Sequence, residues 1–194
     1  MSVISFIVMA FAMGFSAMLF TRRCAESSPV PLSSGLLISF TLAVVHAALF
    51  CLGILLGNLL RFELPDDPEA FARPNAFIFL GIALVVAWRL LKPYMGKKTQ
   101  PAVYDFNAGV LRVLLFTVAS GINGFLLGLG AGFVALLADH RHAALWPLLV
   151  ATFLFSYLGI MYGRQHVKLR PRRWLAVSAL ILLVAAIAAI VNAG

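Results

Sequence analysis

Ser120 to Gly132 reads SGINGFLLGLGAG and lies inside an uncharged run from Val113 to Ala138. Ser120, Gly124, Gly128 and Gly132 recur every four residues, so on a helix they form one ridge of nearly bare backbone. In lipid such a ridge is a packing surface, because small residues let two helices approach closely. Asn123 sits beside it. An amide at bilayer depth is costly without a partner, so Asn123 must face other protein or a polar cavity. A similar pattern recurs near the N-terminus as Met13-Gly14-Phe15-Ser16-Ala17-Met18-Leu19.

Composition sets the class. The 194 residues are 62% hydrophobic and 11% charged, with mean hydropathy +1.00. Soluble domains carry about 25% charged residues, so this is an integral membrane chain. The net charge of +8 does not make it a nucleic-acid binder. The basic residues flank apolar runs instead of striping a polar face. Cys24 and Cys51 form no disulfide framework. Cys24 is expected in an aqueous loop and Cys51 in mid-helix, both as free thiols.

Six apolar segments follow in order, at about 3–20, 35–60, 74–91, 113–138, 143–163 and 174–194. Arg22 and Arg23 come after the first run and not before it, which is unlike a secretory signal and implies a retained helix. The third run, Ala76 to Trp88, is uncharged for only 13 residues. It becomes long enough to span once the ends from Pro74 to Leu91 are counted. The odd-numbered loops with their helix ends hold twelve Lys and Arg, against three in the even ones (Arg61, Arg73 and Arg141). The odd loops are therefore expected in the cytoplasm and both termini outside. The acidic second loop, with Glu63, Asp66, Asp67 and Glu69, is then external and most simply a solvated face. His140 and His142 read as a solvated turn, and Arg170, Arg172 and Arg173 as a contact with anionic headgroups.

The chain also carries a repeat. Leu52-Gly53-Ile54-Leu55-Leu56-Gly57 resembles Leu158-Gly159-Ile160-Met161-Tyr162-Gly163 at an offset of 106, and Ser16 is offset from Asn123 by 107. Near-equal offsets in consecutive helices suggest a duplicated three-helix unit. An odd number of spans per unit places the halves in opposite orientations, as in the inverted repeats of secondary transporters, whose sites lie near the midplane. Chance recurrence of glycine spacings in an apolar chain is the competing account. The expected fold is thus all-α and integral to the membrane, with six transmembrane helices as two inverted three-helix repeats. Residues 1–95 form the first repeat, 96–106 a cytoplasmic linker and 107–194 the second repeat.

Three stretches carry a family resemblance: Ala10 to Met18 (AFAMGFSAM), Ala119 to Gly130 (ASGINGFLLGLG), and Ala151-Thr152 with Ser156 to Arg164 (SYLGIMYGR). The chain resembles the MntP-type manganese efflux pumps of the lysine-exporter superfamily. The resemblance covers the layout of nearly the whole chain and is specific in helices one, four and five. It implies six helices with external termini in a bacterial inner membrane, and export of manganese without ATP. The chain has no GxxxxGK[ST] phosphate loop. It departs from the family at the charges. The family has Asp where this chain has Ser16, and Asp where it has Asn123. His46 stands where many members are acidic, and Ala83 where the family tends to be basic. The glycine pair of helix six is missing.

None of the six apolar runs contains Asp or Glu. Manganese(II) is suited by carboxylate, carbonyl, water and some imidazole. The candidate ligands left for a transported cation are Ser16, Asn123, His46, Ser120, Met13, Thr152 and Ser156. Met13 with Ser16, and Ser120 with Asn123, share helix faces. Neutral oxygens cannot balance two positive charges, and imidazole plus thioether leans toward a softer ion. His46 is either a ligand or proton-coupling group, or a neutral histidine hydrogen-bonded to a neighbouring helix. Ser16 and Asn123 gain weight from their equivalence in the repeat. Met13, Thr152 and Ser156 fit packing as well as binding. Cys51, five residues from His46, lies on another face.

The expected function is an inner-membrane secondary exporter of a divalent cation, manganese by the resemblance. It would be no enzyme, hold no resident cofactor, and have the bilayer and its cargo as partners. Two alternatives stay open. One keeps the fold with a softer metal or a small neutral or zwitterionic solute as cargo. The other is a membrane scaffold that transports nothing.

Overall fold

A computed structural model describes residues 3–27, 30–61, 71–95, 110–134, 141–165 and 171–191. The described residues form six helices: α1 (Val3–Ser27), α2 (Leu32–Leu60), α3 (Ala72–Met95), α4 (Val110–Phe133), α5 (Arg141–Arg164) and α6 (Pro171–Val191). Within them, Leu32–Leu60, Ala72–Lys92, Leu114–Phe133 and Leu145–Arg164 are long and apolar enough to cross a membrane, and Leu175–Ala188 is a shorter apolar stretch. These helices turn Leu37, Phe40, Leu55, Leu59, Phe77, Trp88, Leu115, Leu154, Leu180 and Val184 outward. Apolar surface that extensive belongs against lipid. The chain is a helical, multi-pass membrane protein.

Local chemistry explains where the helices begin and end. Pro31 precedes α2 and its carbonyl accepts from the Gly35 N–H at 2.8 Å. Pro171 opens α6, where a missing N–H costs nothing. The first helix runs further than its apolar run. It continues past Phe20 through Arg22, Arg23 and Cys24 to Ser27. The Thr21 hydroxyl, with one hydrogen to give, lies 3.0 and 3.1 Å from the Ala17 and Met18 carbonyls, either of which can accept it. Arg22 pairs with Glu26 one turn on at 2.7 Å, an i,i+4 arrangement that favours helix. The aqueous placement of Cys24 is thereby corrected: the residue is helical and has no exposed surface. Cys51 is half-buried in α2, and both thiols are free.

The boundaries of α4 and α5 also shift. The fourth helix begins at Val110 and ends at Phe133, short of Ala138, and α5 opens at Arg141, inside the expected turn. The linker at 96–106, the acidic residues of the second loop and His140 lie outside the described residues, as does the side chain of His142.

Helix packing follows a simple pattern. The first helix lies along α5 and α2 along α4; these are the two most extensive interfaces. The third helix packs on α6 and α4, α6 also on α1, and α2 meets α5. Exchanging α1 with α4, α2 with α5 and α3 with α6 returns the same set of principal contacts. The buried core joins Met13 and Met18 of α1, Phe50 of α2, Phe79 and Val86 of α3, Leu127 of α4, Leu148 of α5 and Leu182 of α6.

Candidate functional site

The two main interfaces are backbone contacts made by the glycines of the repeated hexapeptide. A Cβ on Gly53 of α2 would sit on the Phe125 carbonyl oxygen, and one on Gly57 on the Leu129 carbonyl oxygen. A Cβ on Gly159 of α5 would sit on the Met18 carbonyl oxygen, and one on Gly163 at 2.5 Å from that of Arg22. The glycines differ by 106, and their carbonyl partners differ by 107. The same pair of offsets relates two more contacts. Thr21 donates to the Ser156 carbonyl at 2.9 Å, and Gly128 lies on the Phe50 carbonyl. Gly14 faces the Phe155 ring as Gly121 faces Leu49. The ridge through Gly124, Gly128 and Gly132 therefore meets α2, as its small residues require.

On its other side α4 borders a cavity of about 240 Å³. Ser16, Leu19, Phe20 and Arg23 line it from α1, Arg89 and Leu90 from α3, and Ala119, Ser120 and Asn123 from α4, with Leu175 of α6 closing it. Arg89 donates its Nε–H to Asn123 Oδ1 at 3.0 Å. The Ser120 hydroxyl donates to the Thr117 carbonyl at 2.8 Å. Ser16, Ser120 and Asn123 are half-buried, so this is a wettable recess. At the opposite end of α4 a Cβ on Gly130 would collide with the Phe79 ring, which is fully buried. There α3 and α4 are in tight contact.

Three of the seven expected site residues thus meet in one place: Ser16, Ser120 and Asn123. Met13 and His46 do not line the cavity. They flank Gly124, whose Cβ would lie 3.3 Å from Met13 Cε and 3.9 Å from His46 Cδ2. His46 is 2% exposed, and its Nδ1 lies 2.8 Å from the Leu42 carbonyl. With the proton on Nδ1 it donates there, within its own helix. Thr152 and Ser156 are fully buried on α5, and their hydroxyls have no hydrogen-bond partner among the described residues. Among the described residues no three His, Cys, Asp or Glu side chains converge.

Arg23 and Arg89 are the lining residues that the sequence reading missed. Both were read as flanking charge. The brevity of the third run had already placed Arg89 inside the span at 74–91; the face of α3 on which it meets Asn123 has no signal in the sequence. Comparison with protein-family models, characterised proteins and solved structures finds no match.

Proposed function

We propose that the protein is a secondary transporter built as two inverted three-helix repeats, with its solute site in the cavity shared by α1, α3, α4 and α6. One observation carries this reading: Ser16 and Asn123, related by the offset that also relates the glycine contacts, line the same cavity. A site on the line where two equivalent halves meet is where inverted-repeat transporters bind their cargo. With all six helices taken as spans, the Lys and Arg distribution puts both termini outside. On that orientation the cavity opens to the cytoplasm, because it lies at the ends of α1 and α3 that precede odd loops. Phe79 against Gly130 then closes the far side, as one state of an alternating-access cycle.

Manganese export from a bacterial cytoplasm is the activity that the resemblance implies, but the lining argues for another cargo. Arg23 and Arg89 repel a divalent cation, and the described lining offers no carboxylate to hold one. The transporter class is tested by access. Ser16→Cys and Asn123→Cys, each without Cys24 and Cys51, are treated with a membrane-impermeant maleimide from either side of oriented vesicles. Labelling from both sides supports alternating access. Labelling from one side under all conditions points to a scaffold.

A further inference from the structure

We infer that the cavity binds a small anion, a carboxylate or an inorganic oxyanion, through Arg89. The inference rests on the proposed reading of this cavity as the solute site. Its first support is the partner of Arg89. The guanidinium is fixed by a neutral amide oxygen, Asn123 Oδ1 at 3.0 Å. That bond orients the group and takes one of its five N–H donors, and among the described residues no carboxylate lines the cavity to balance its charge. A guanidinium suits carboxylate and phosphate geometry better than any other side chain does.

The second support is the sorting of donors and acceptors. With Oδ1 accepting from Arg89, Asn123 presents its amide N–H groups as donors. Ser16 adds its hydroxyl to the same lining. Ser120 has committed its hydroxyl hydrogen to the Thr117 carbonyl. The recess is rich in donors and positive in charge, and no acidic side chain lines it among the described residues. At about 240 Å³ the cavity is below the ~300–1,000 Å³ usual for drug-sized ligands, so the anion is small. A phospholipid headgroup offers the same phosphate chemistry, and the experiment separates the two sources.

The full-length protein in an uncharged detergent is titrated with acetate, glutamate or inorganic phosphate at constant ionic strength in chloride, and its unfolding temperature is followed. The expected result is a saturable rise with at least one free anion. Arg89→Gln raises the half-saturating concentration by roughly tenfold or more, the scale of a charge-assisted hydrogen bond. Asn123→Asp does the same while keeping the arginine, because the new carboxylate occupies Arg89; Arg89→Lys retains part of the effect. No saturable rise over chloride, or a rise that both variants leave unchanged, overturns the inference. A rise seen only when phosphatidylglycerol is added assigns the site to lipid and also overturns it. The two readings fail separately. An anion that stabilises the protein but is not moved by it in proteoliposomes leaves the anion site standing and sinks transport. Movement of a neutral solute or of manganese with no anion effect does the reverse.

Discussion

Replacing Gly53 by alanine tests the helix contact on which the architecture rests. The new Cβ would lie on the Phe125 carbonyl oxygen and 2.7 Å from the Leu129 nitrogen, where ordinary contact begins at 3.4 Å. Both obstacles are backbone, so no side chain can swing aside, and α2 must retreat from α4 by roughly 1 Å. A radial gap of about 0.5–1 Å forfeits a quarter to a half of each van der Waals contact it opens, and overpacking of this kind costs about 1–3 kcal/mol. On the scale of soluble chains of this size, where 1 kcal/mol moves Tm by about 2–4 °C, the melting temperature in detergent should fall by roughly 2–12 °C. Gly81→Ala is the control. Nothing lies within 4 Å of its Cβ, and alanine improves helix propensity by up to about 1 kcal/mol. Gly159→Ala meets the Met18 carbonyl and the Thr21 hydroxyl, so its loss should match that of Gly53→Ala within about twofold. If Gly53→Ala melts like Gly81→Ala, the close approach of α2 and α4 is wrong. A damaging Gly53→Ala beside a harmless Gly159→Ala would break the equivalence of the two halves.

The two cysteines should label very differently. Cys24 has no exposed surface, and burial pushes its thiol up to about 12 against smaller downward pulls from a backbone hydrogen bond and Arg23. The reactive thiolate is then about one part in ten thousand at pH 8, so a maleimide should modify Cys24 only after denaturation. Modification of Cys24 in the folded protein at the rate of a free thiol would contradict its place in α1. Thr21→Val removes the hydroxyl that joins α1 to the Ser156 carbonyl while keeping the shape. The expected loss is about 0.5–1.5 kcal/mol, in the range found for hydrogen bonds between membrane helices, read as a lower unfolding temperature. An unchanged temperature would mean that the hydroxyl, including its bond to the Ser156 carbonyl, adds nothing to the stability of the helix pair.

Much of the fold was legible because the bilayer enforces a simple code. Uncharged runs of spanning length give helices, and the ridge of Ser120, Gly124, Gly128 and Gly132 announced a close helix contact, whereas Gly53, Gly57, Gly159 and Gly163 read only as a repeat. Their partners were less visible. The ridge of α4 had two sides, and only packing shows that its glycines face α2 while Asn123 faces the cavity. Helix ends were misjudged where charge was taken for loop. Arg22, Arg23 and Cys24 continue α1, because an i,i+4 ion pair suits a helix that outlasts its apolar run. The candidate site was half legible. Ser16, Ser120 and Asn123 converge, while His46, a conspicuous residue in sequence, is held by the Leu42 carbonyl of its own helix and by the Ser120 backbone of α4. A lone polar residue in an apolar run signals that it needs a partner, and the sequence cannot say whether the nearest carbonyl suffices.

The position of Arg89 changes what it would take to make this a cation site. By resemblance, the missing carboxylates at positions 16 and 123 are the obvious deficit, and Ser16→Asp with Asn123→Asp the obvious repair. A carboxylate at 123, however, would stand where Asn123 Oδ1 now accepts from Arg89 at 3.0 Å. Two opposite charges 4 Å apart attract by about 4 kcal/mol at an effective dielectric constant of 20, so the arginine would claim that carboxylate first. The double variant should therefore leave manganese content unchanged, measured by mass spectrometry in a manganese-sensitive host against the unaltered protein. Adding Arg89→Ala frees the carboxylate pair, and only this triple variant should lower cellular manganese. If the double variant lowers it as well as the triple does, Arg89 does not govern the charge of the site. If neither does while both reach the membrane, the sign of the lining is not what separates this chain from a manganese exporter.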